Sequence, residues 1–262
     1  KEYRAIKANM PKEYFENLIV EESDENLPRI FILAEEMIKE SNGKLLEEEL
    51  ISFILGKNKK LNMGELWAFP LMLRANIIIN LSNTTDKLKD IYKEKRDGKE
   101  LAYKVIFANS KDEKLNILKE AFDKSGYFID ELNKVLKDNS IEDDDIHNFI
   151  SKLREKDEKS SIKGPFIEGV LENTISSSIM SLREIESIDW REFFNKTSIV
   201  EKILLKDPSK TYENMDFESK DYYRHKIEKI SRKYNIEEDK IAEKLVYLSE
   251  RANKESGNDY KK

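Results

Sequence analysis

Apolar residues recur three and four positions apart along most of the chain, the spacing that places them on one face of an α-helix. Ile30, Leu33, Ala34, Met37 and Ile38 form the first such stripe. Clean alternation of apolar and polar residues bounded by Asn-Gly or Asp-Gly, which is typical of β-hairpins, is almost missing. With only 8 Gly and 5 Pro in 262 residues, turn signals are also few. The pattern predicts an all-α protein, an array of stacked antiparallel helix pairs.

A polar stretch interrupts this pattern. REKDEKSSIKG, residues 154–164, is rich in charge and serine and ends just before Pro165. Such composition is typical of linkers. We therefore expect an N-terminal helical sub-domain at 1–153, a linker at 154–164 and a C-terminal helical sub-domain at 165–262.

Three polar residues stand where helices are expected to begin. Asn62 precedes Glu65, and Asp189 precedes Glu192, by the three positions of a capping box. In a capping box the first side chain accepts from the N–H of the acid, and the acid accepts from the N–H of the first residue. Ser219 is expected to cap a third helix.

The helix that starts at Asn62 carries three residues that could break or mark it. Pro70 lacks an N–H, which predicts a kink, and Gly98 is expected to end the helix. Arg74 lies among apolar neighbours, so it needs either a structural ion pair or a contact to a ligand or partner domain.

Composition narrows the range of functions. The net charge is −6 and no long basic block exists, which argues against nucleic-acid binding. Cysteine is absent, and the two histidines, His147 and His225, are far apart, so no metal site is predicted. No apolar run reaches the roughly 18 residues that span a bilayer. The N-terminus lacks both an initiator methionine and a signal-peptide core, and we interpret the chain as a soluble piece of a longer protein.

Seven charged or aromatic residues are candidates for ligand or interdomain contacts, although each also has a structural interpretation. The acids could cap helices, the tryptophans could belong to the core, and the arginines could form ion pairs. Phosphate-binding glycine loops, G-x-S-x-G and H-E-x-x-H are absent, so no catalytic residue is predicted. The candidates are Glu65, Trp67, Arg74, Arg183, Asp189, Trp190 and Arg191.

Four segments together resemble one known family. GELWAFPLMLR (64–74), SLREIESIDWREFF (181–194), SIVEKILLKDP (198–208) and MDFESKDYYRHKIEKIS (215–231) follow in this order. They resemble the N-terminal soluble region of cyclic β-1,2-glucan synthases, which are large bacterial membrane glycosyltransferases with a C-terminal module similar to cellobiose phosphorylase. The family pattern has Thr at position 62 and Thr-Arg at 219–220, where this chain has Asn and Ser-Lys.

The resemblance implies a part of a UDP-glucose-dependent glucosyltransferase. The catalytic carboxylates of such proteins lie in later segments, and none maps onto a matched motif here. The expected function is therefore a non-catalytic helical accessory or scaffolding module without a cofactor of its own. Its expected partners are the remaining domains of the parent synthase, at the cytoplasmic face of the cell membrane and without membrane insertion by this segment.

Two alternatives stay open on the sequence. The first is a glucan- or oligosaccharide-binding module, which would use Trp67, Trp190 and nearby charged residues, with β-glucan as a further partner. The second, ranked below both, is a fragment of a helical glycoside hydrolase. Exposed indole faces would favour sugar binding, whereas buried indoles would favour a structural corner.

Overall fold

The computed structural model of the chain describes residues 18–20, 26–41, 45–57, 60–141, 143–156 and 164–259. These residues form eleven α-helices and one 3-10 helix, and apart from an isolated bridge between Val20 and Pro28 the described residues form no β-structure. The all-α prediction is confirmed. The α-helices are α1 Arg29–Glu40, α2 Glu47–Gly56, α3 Met63–Phe107, α4 Lys111–Leu118, α5 Gly126–Asp138, α6 Asp144–Lys156, α7 Gly164–Ser187, α8 Trp190–Thr197, α9 Ile199–Leu204, α10 Phe217–Tyr234 and α11 Glu238–Asp259, and the 3-10 helix is Lys119–Ala121.

The chain groups into two compact units. Unit 1 consists of Lys1–Ile78 and Met180–Lys262, and unit 2 of Ile79–Ile179. Helices α3 and α7 each run through a boundary between the units, so neither boundary coincides with a loop. This division differs from the predicted sub-domains 1–153 and 165–262. Most of the expected linker, residues 157–163, lies outside the described residues, and the linker stays a prediction.

Unit 1 has a core formed by the apolar faces of its helices. The stripe on α1 is buried as its spacing predicts, with Ile38 partly exposed at its end. The rings of Phe69 on α3 and Phe193 on α8 stack with their centroids 5.7 Å apart. This core also contains residues from the other helices of the unit, among them Leu50, Leu73, Ile185, Phe194, Ile227 and Ala242.

Unit 2 has its own core, and Gly98 lies beside it. The prediction that Gly98 ends α3 is wrong, because the helix continues to Phe107. A Cβ built at Gly98 would lie 2.4 Å from the backbone oxygen of Phe128, so glycine permits this close approach of α3 and α5. The core of unit 2 consists of buried residues from α3, α5, α6 and the segment between α3 and α5: Leu101, Ala102, Val105, Leu118, Ala121, Phe128, Ile129, Leu132, Val135, Leu136, Ile146, Ile150 and Leu153.

One further expectation about this helical array is corrected. Asp216, and not Ser219, caps α10: the Asp216 carboxylate accepts a hydrogen bond of 2.7 Å from the Ser219 N–H. Both residues are good cap formers, and the helix begins at Phe217, two residues before Ser219. Of the helices that the structure describes, none combines the length and the apolar character needed to cross a membrane.

We predict opposite effects for alanine at two helical glycines of unit 2. Alanine normally stabilises a helix relative to glycine by about 1 kcal/mol. At Gly98 the new methyl group would meet the Phe128 backbone, and the overpacking cost of about 1–3 kcal/mol should outweigh that gain. Gly98→Ala should therefore lower the melting temperature.

The matched control is Gly169→Ala, because a Cβ at Gly169 meets nothing within 4 Å. This substitution should keep the melting temperature or raise it by the helix-propensity gain. Thermal unfolding followed by circular dichroism measures both variants. Equal shifts for the two alanines would show that the close approach at Gly98 does not limit packing.

Candidate functional site

Helix α3 begins with a reciprocal pair of cap bonds. The Asn62 side-chain oxygen accepts from the Glu65 N–H at 2.7 Å, and the Glu65 carboxylate accepts from the Asn62 N–H at 2.9 Å. The predicted capping box is confirmed. Glu65 is completely buried, which the local sequence does not explain by itself.

An arginine from α1 compensates the buried charge of Glu65. Arg29 Nη2 lies 2.6 Å from one carboxylate oxygen of Glu65, and Arg29 Nε lies 3.0 Å from the other. Arg29 Nη2 also donates to the carbonyl of Lys60 at 2.9 Å. A bidentate pair of this kind fixes both groups in orientation. Glu65 therefore joins α1 to the start of α3.

A second helix start lies at the corner between α7 and α8. Asp189 accepts from the N–H groups of Arg191 and Glu192 at 2.9 and 3.1 Å, so Asp189 caps α8 as predicted. The Glu192 carboxylate instead lies 2.6 Å from Lys196 Nζ. Of the two hydrogen bonds of the predicted capping box, only the one accepted by Asp189 forms, because the Glu192 carboxylate pairs with Lys196 one turn further along the helix.

A cleft of about 760 Å³ lies in unit 1 between the first turns of α3, the start of α8 and the length of α10. Four of the seven candidate residues line it, although they are far apart in sequence. Glu65 and Asp189 are engaged at the helix starts, and Arg183 is exposed on α7 and does not line the cleft. The four lining candidates are Trp67, Arg74, Trp190 and Arg191.

Aromatic rings form the inner wall of the cleft. Trp67 stacks on Phe194 with centroids 4.6 Å apart, and it meets Phe217 edge-on at 6.4 Å. Trp190 meets Phe193 edge-on at 5.3 Å, and its indole N–H donates to the carbonyl of Ile185 at 3.1 Å. Both tryptophans are partly buried. Each indole therefore packs on the core and also contributes surface to the cleft.

Arg74 lines the cleft without the structural ion pair that was one of the two alternatives expected for it. Within the part of the chain that the structure describes, no carboxylate lies within ion-pair distance of its guanidinium, and its buried Nε has no hydrogen-bond partner. Arg74 is only half-buried, so its aliphatic part packs while the charged end reaches the cleft. The guanidinium remains able to donate hydrogen bonds.

A second arginine, Arg224 on α10, is held almost completely inside the protein. It is 2% exposed, and its Nη2 lies 2.7 Å from the Glu201 carboxylate, which is also 2% exposed. The Tyr212 hydroxyl donates to the same carboxylate at 2.7 Å. Burial, and this hydrogen bond, raise the pKa of the Tyr212 phenol well above its usual range. Asn195 accepts from Arg224 Nη2 at 3.1 Å, and Arg224 Nη1 is buried without a partner in the described residues.

Two arginines, Arg224 and Arg191, also contact aromatic rings. The Arg224 guanidinium lies 4.8 Å from the centroid of Phe194, and the Arg191 guanidinium lies 4.4 Å from the centroid of Phe217. A cation above the face of an aromatic ring is attracted electrostatically to that face, which stabilises such contacts. The wall of the cleft is thus both aromatic and cationic.

The acids of the cleft are bonded to neighbouring residues on α10. Asp221 lies 3.3 Å from Nδ1 of His225, and Glu228 pairs with Arg232 one turn away. His225 is exposed and contacts the Asp221 carbonyl at 3.0 Å, as a locally bonded histidine does. Among the described residues, no group of three or more His, Cys, Asp or Glu is placed to hold a metal ion.

One acid near the start of α3 has a strongly altered pKa. Burial raises the pKa of the Glu238 carboxyl to about 7, and the nearby carboxylates of Glu228 and Glu65 act in the same direction. The Met63 N–H donates to Glu238 at 2.8 Å and opposes the shift. Glu238 therefore begins to lose its proton only near neutral pH.

The fold and the cleft define a helical module with an aromatic, arginine-rich pocket and with acids committed to helix starts and ion pairs. In sequence this module is similar to the cyclic β-(1,2)-glucan synthase NdvB of Rhizobium meliloti (strain 1021), with 25% identity over 94% of this chain. The resemblance predicted from the four motifs is confirmed. The chain spans 9% of the length of that relative. No protein-family model matches the chain.

The local sequence motifs do not identify the partners of the buried charges. Arg29, Glu201 and Arg224 were not singled out, although Glu201 and Arg224 lie within the matched segments SIVEKILLKDP and MDFESKDYYRHKIEKIS. A charged residue at an apolar helix position, as Arg224 is three residues before Ile227, is the signal that could have found them.

We predict that Glu65→Gln is strongly destabilising. Glutamine can retain the cap bond, but it leaves the Arg29 guanidinium without its buried counter-charge, which typically costs about 3 kcal/mol. Asp189→Ala removes only a cap oxygen and should cost about 1 kcal/mol. Urea unfolding of the two variants measures the difference. Unchanged stability of Glu65→Gln, together with lost glucan synthesis in the parent protein, would instead assign Glu65 to a functional site.

We predict that Glu238 makes stability depend on pH near neutrality. Its pKa is about 7 in the folded state and ordinarily 4.5, so between these values the folded state binds more protons than the unfolded state. Stability then falls as the pH rises through this interval. Glu238→Gln removes this loss, so the variant should gain melting temperature relative to the native chain at about pH 8 but little at about pH 5.

Glu243→Gln is the matched control, because Glu243 is exposed on the same helix. Its difference from the native chain should vary little between the two pH values. If Glu238→Gln behaves like this control, then the Glu238 carboxyl ionises in the folded state as it does in water.

Proposed function

We propose that this chain is a non-catalytic helical module of a larger glycosyltransferase of the cyclic β-1,2-glucan synthase type. Similarity to NdvB over most of this chain, and over a small share of that relative, supports a part of such an enzyme. In this proposal the module positions or regulates the rest of the synthase at the cytoplasmic face of the cell membrane. Its partners are the remaining domains, and it needs no cofactor of its own.

The observation that carries the proposal is the engagement of the motif acids in the fold. Both oxygens of Glu65 bind Arg29, Asp189 accepts from two backbone N–H groups, and Glu201 binds Arg224 and Tyr212. A glycosidase requires two carboxylates that face a sugar and a water molecule. These three acids face the protein, which supports a structural role and favours this interpretation over a hydrolase fragment.

A second candidate function is oligosaccharide binding in the cleft. Trp67 and Trp190 are partly exposed and line one cleft whose volume suits a small ligand. Flat aromatic surfaces with a polar handle are common in such pockets. In this interpretation the module would hold β-1,2-glucan near the synthase without acting on it.

We predict that the isolated chain neither transfers glucose from UDP-glucose nor hydrolyses β-1,2-glucan. Product analysis after incubation with each substrate tests this. Asp221→Asn serves as the control, because Asp221 is a carboxylate that lines the cleft. Turnover by the native chain that disappears in this variant would contradict the proposal.

Calorimetric titration with β-1,2-glucan oligosaccharides separates the two candidates. Without sugar binding, no saturable heat is expected for the native chain. Saturable binding that weakens in Trp67→Phe, which keeps an aromatic ring against Phe194, would select the oligosaccharide-binding function.

A further inference from the structure

The cleft has a cationic lining in an acidic protein. Five arginine and lysine side chains, one histidine and two carboxylates line it, whereas the chain as a whole has a net charge of −6. Glu228 compensates Arg232, and Glu201 compensates Arg224. Within the described residues, the three other arginine and lysine side chains of the cleft have no ion-pair partner, and they are Arg74, Arg191 and Lys229. The cleft is therefore a local site of positive potential.

Two guanidinium nitrogens of the cleft are also buried without acceptors in the described residues. They are Nε of Arg74 and Nη1 of Arg224. A buried donor that makes no hydrogen bond costs free energy, and more so when it is charged. Both residues also line the cleft.

The side chain of Arg224 is fixed in one position by its neighbours. Its side chain is 2% exposed and is held by Glu201, Tyr212 and Asn195. A rigid guanidinium with one unpartnered nitrogen recognises an oxyanion at low entropic cost. A large, flexible acidic polypeptide cannot reach so deeply buried a group as readily as a small ligand can.

We propose that this cleft binds a small phosphoryl-bearing ligand. The phosphoryl oxygens accept hydrogen bonds from Arg74 and Arg224, and the organic part of the ligand packs on Trp67 and Trp190. Phosphate fits better than a single carboxylate because it offers three oxygens to guanidinium groups on α3 and α10. The volume of about 760 Å³ lies within the range of small-molecule sites. This inference needs only the cleft and does not rest on the proposed function.

The direct test is calorimetric titration of the native chain with four probes: pyrophosphate, UDP, glucose 1-phosphate and neutral β-1,2-glucan oligosaccharides. At least one phosphorylated organic probe should bind more tightly than pyrophosphate, because only the organic probes contact the indoles. Comparison of UDP with glucose 1-phosphate distinguishes a nucleotide from a sugar phosphate. Binding should weaken with added salt, because salt screens the attraction between the phosphate and the exposed cationic side chains of the cleft.

Arg74→Gln should weaken phosphate binding on the order of tenfold or more, because it removes a charge-assisted hydrogen bond. Arg183→Gln makes the same change of charge at an exposed arginine away from the cleft and should leave binding unchanged. Arg191→Gln, at an exposed cleft position, should also weaken binding. This variant replaces Arg74→Gln in the test if Arg74→Gln does not fold.

Three results would overturn the inference. In the first, the folded native chain binds none of the phosphates. In the second, the variants Arg74→Gln, Arg191→Gln and Arg183→Gln all bind the phosphates as tightly as the native chain, which means an adventitious ion only. The third is tighter binding of an acidic peptide than of any phosphate, which makes the cleft a docking surface for protein. None of these results affects the turnover assay, so failure here is distinct from failure of the proposed function.

Discussion

The buried ion pair between Arg224 and Glu201 is the interaction on which the cleft depends. It joins α9 to α10, and the hydroxyl of Tyr212 binds the same carboxylate. The Arg224 guanidinium lies against Phe194, which in turn stacks on Trp67. The charge pair is thus connected through Phe194 to both α8 and α3. Loss of either partner would leave an uncompensated charge inside the core, and the wall of the cleft would move with it.

Acidic and basic residues have different roles in unit 1. The buried acids are satisfied within the fold, because each is matched to backbone N–H groups or to an arginine, as Glu65 is by Arg29. Arg74 and Arg191 are instead left without a carboxylate in the described residues and face a shared space. Among the described residues Arg74 keeps a buried donor without an acceptor, which is unfavourable for a residue that serves stability alone. Arg191 is exposed and stacks on Phe217. This asymmetry between acids and arginines supports the ligand proposed for the cleft.

Local features were predictable from the sequence, and tertiary pairings were not. The periodic stripe on α1 and the Asn62–Glu65 cap depend on residues within one or two helical turns, so their spacing alone reveals them. The pairing of Arg29 with Glu65 joins positions 36 apart, and no local pattern encodes it. The prediction that Gly98 ends α3 was wrong for a related reason. The tendency of a single glycine to break a helix is weak, and the packing of Gly98 against Phe128 of a distant helix outweighs it. Four cleft residues were singled out individually, but their assembly into one surface required the fold.

The placement of the tryptophans has a spectroscopic consequence. The chain contains only 2 Trp, and both line the cleft. Their near-ultraviolet emission therefore originates entirely in unit 1, beside Phe193 and Phe194, while unit 2 contributes only tyrosine and phenylalanine. A change in the colour or intensity of tryptophan fluorescence then reports the polarity of this one pocket without any added label. The protein carries an intrinsic optical probe at the place where a ligand would bind.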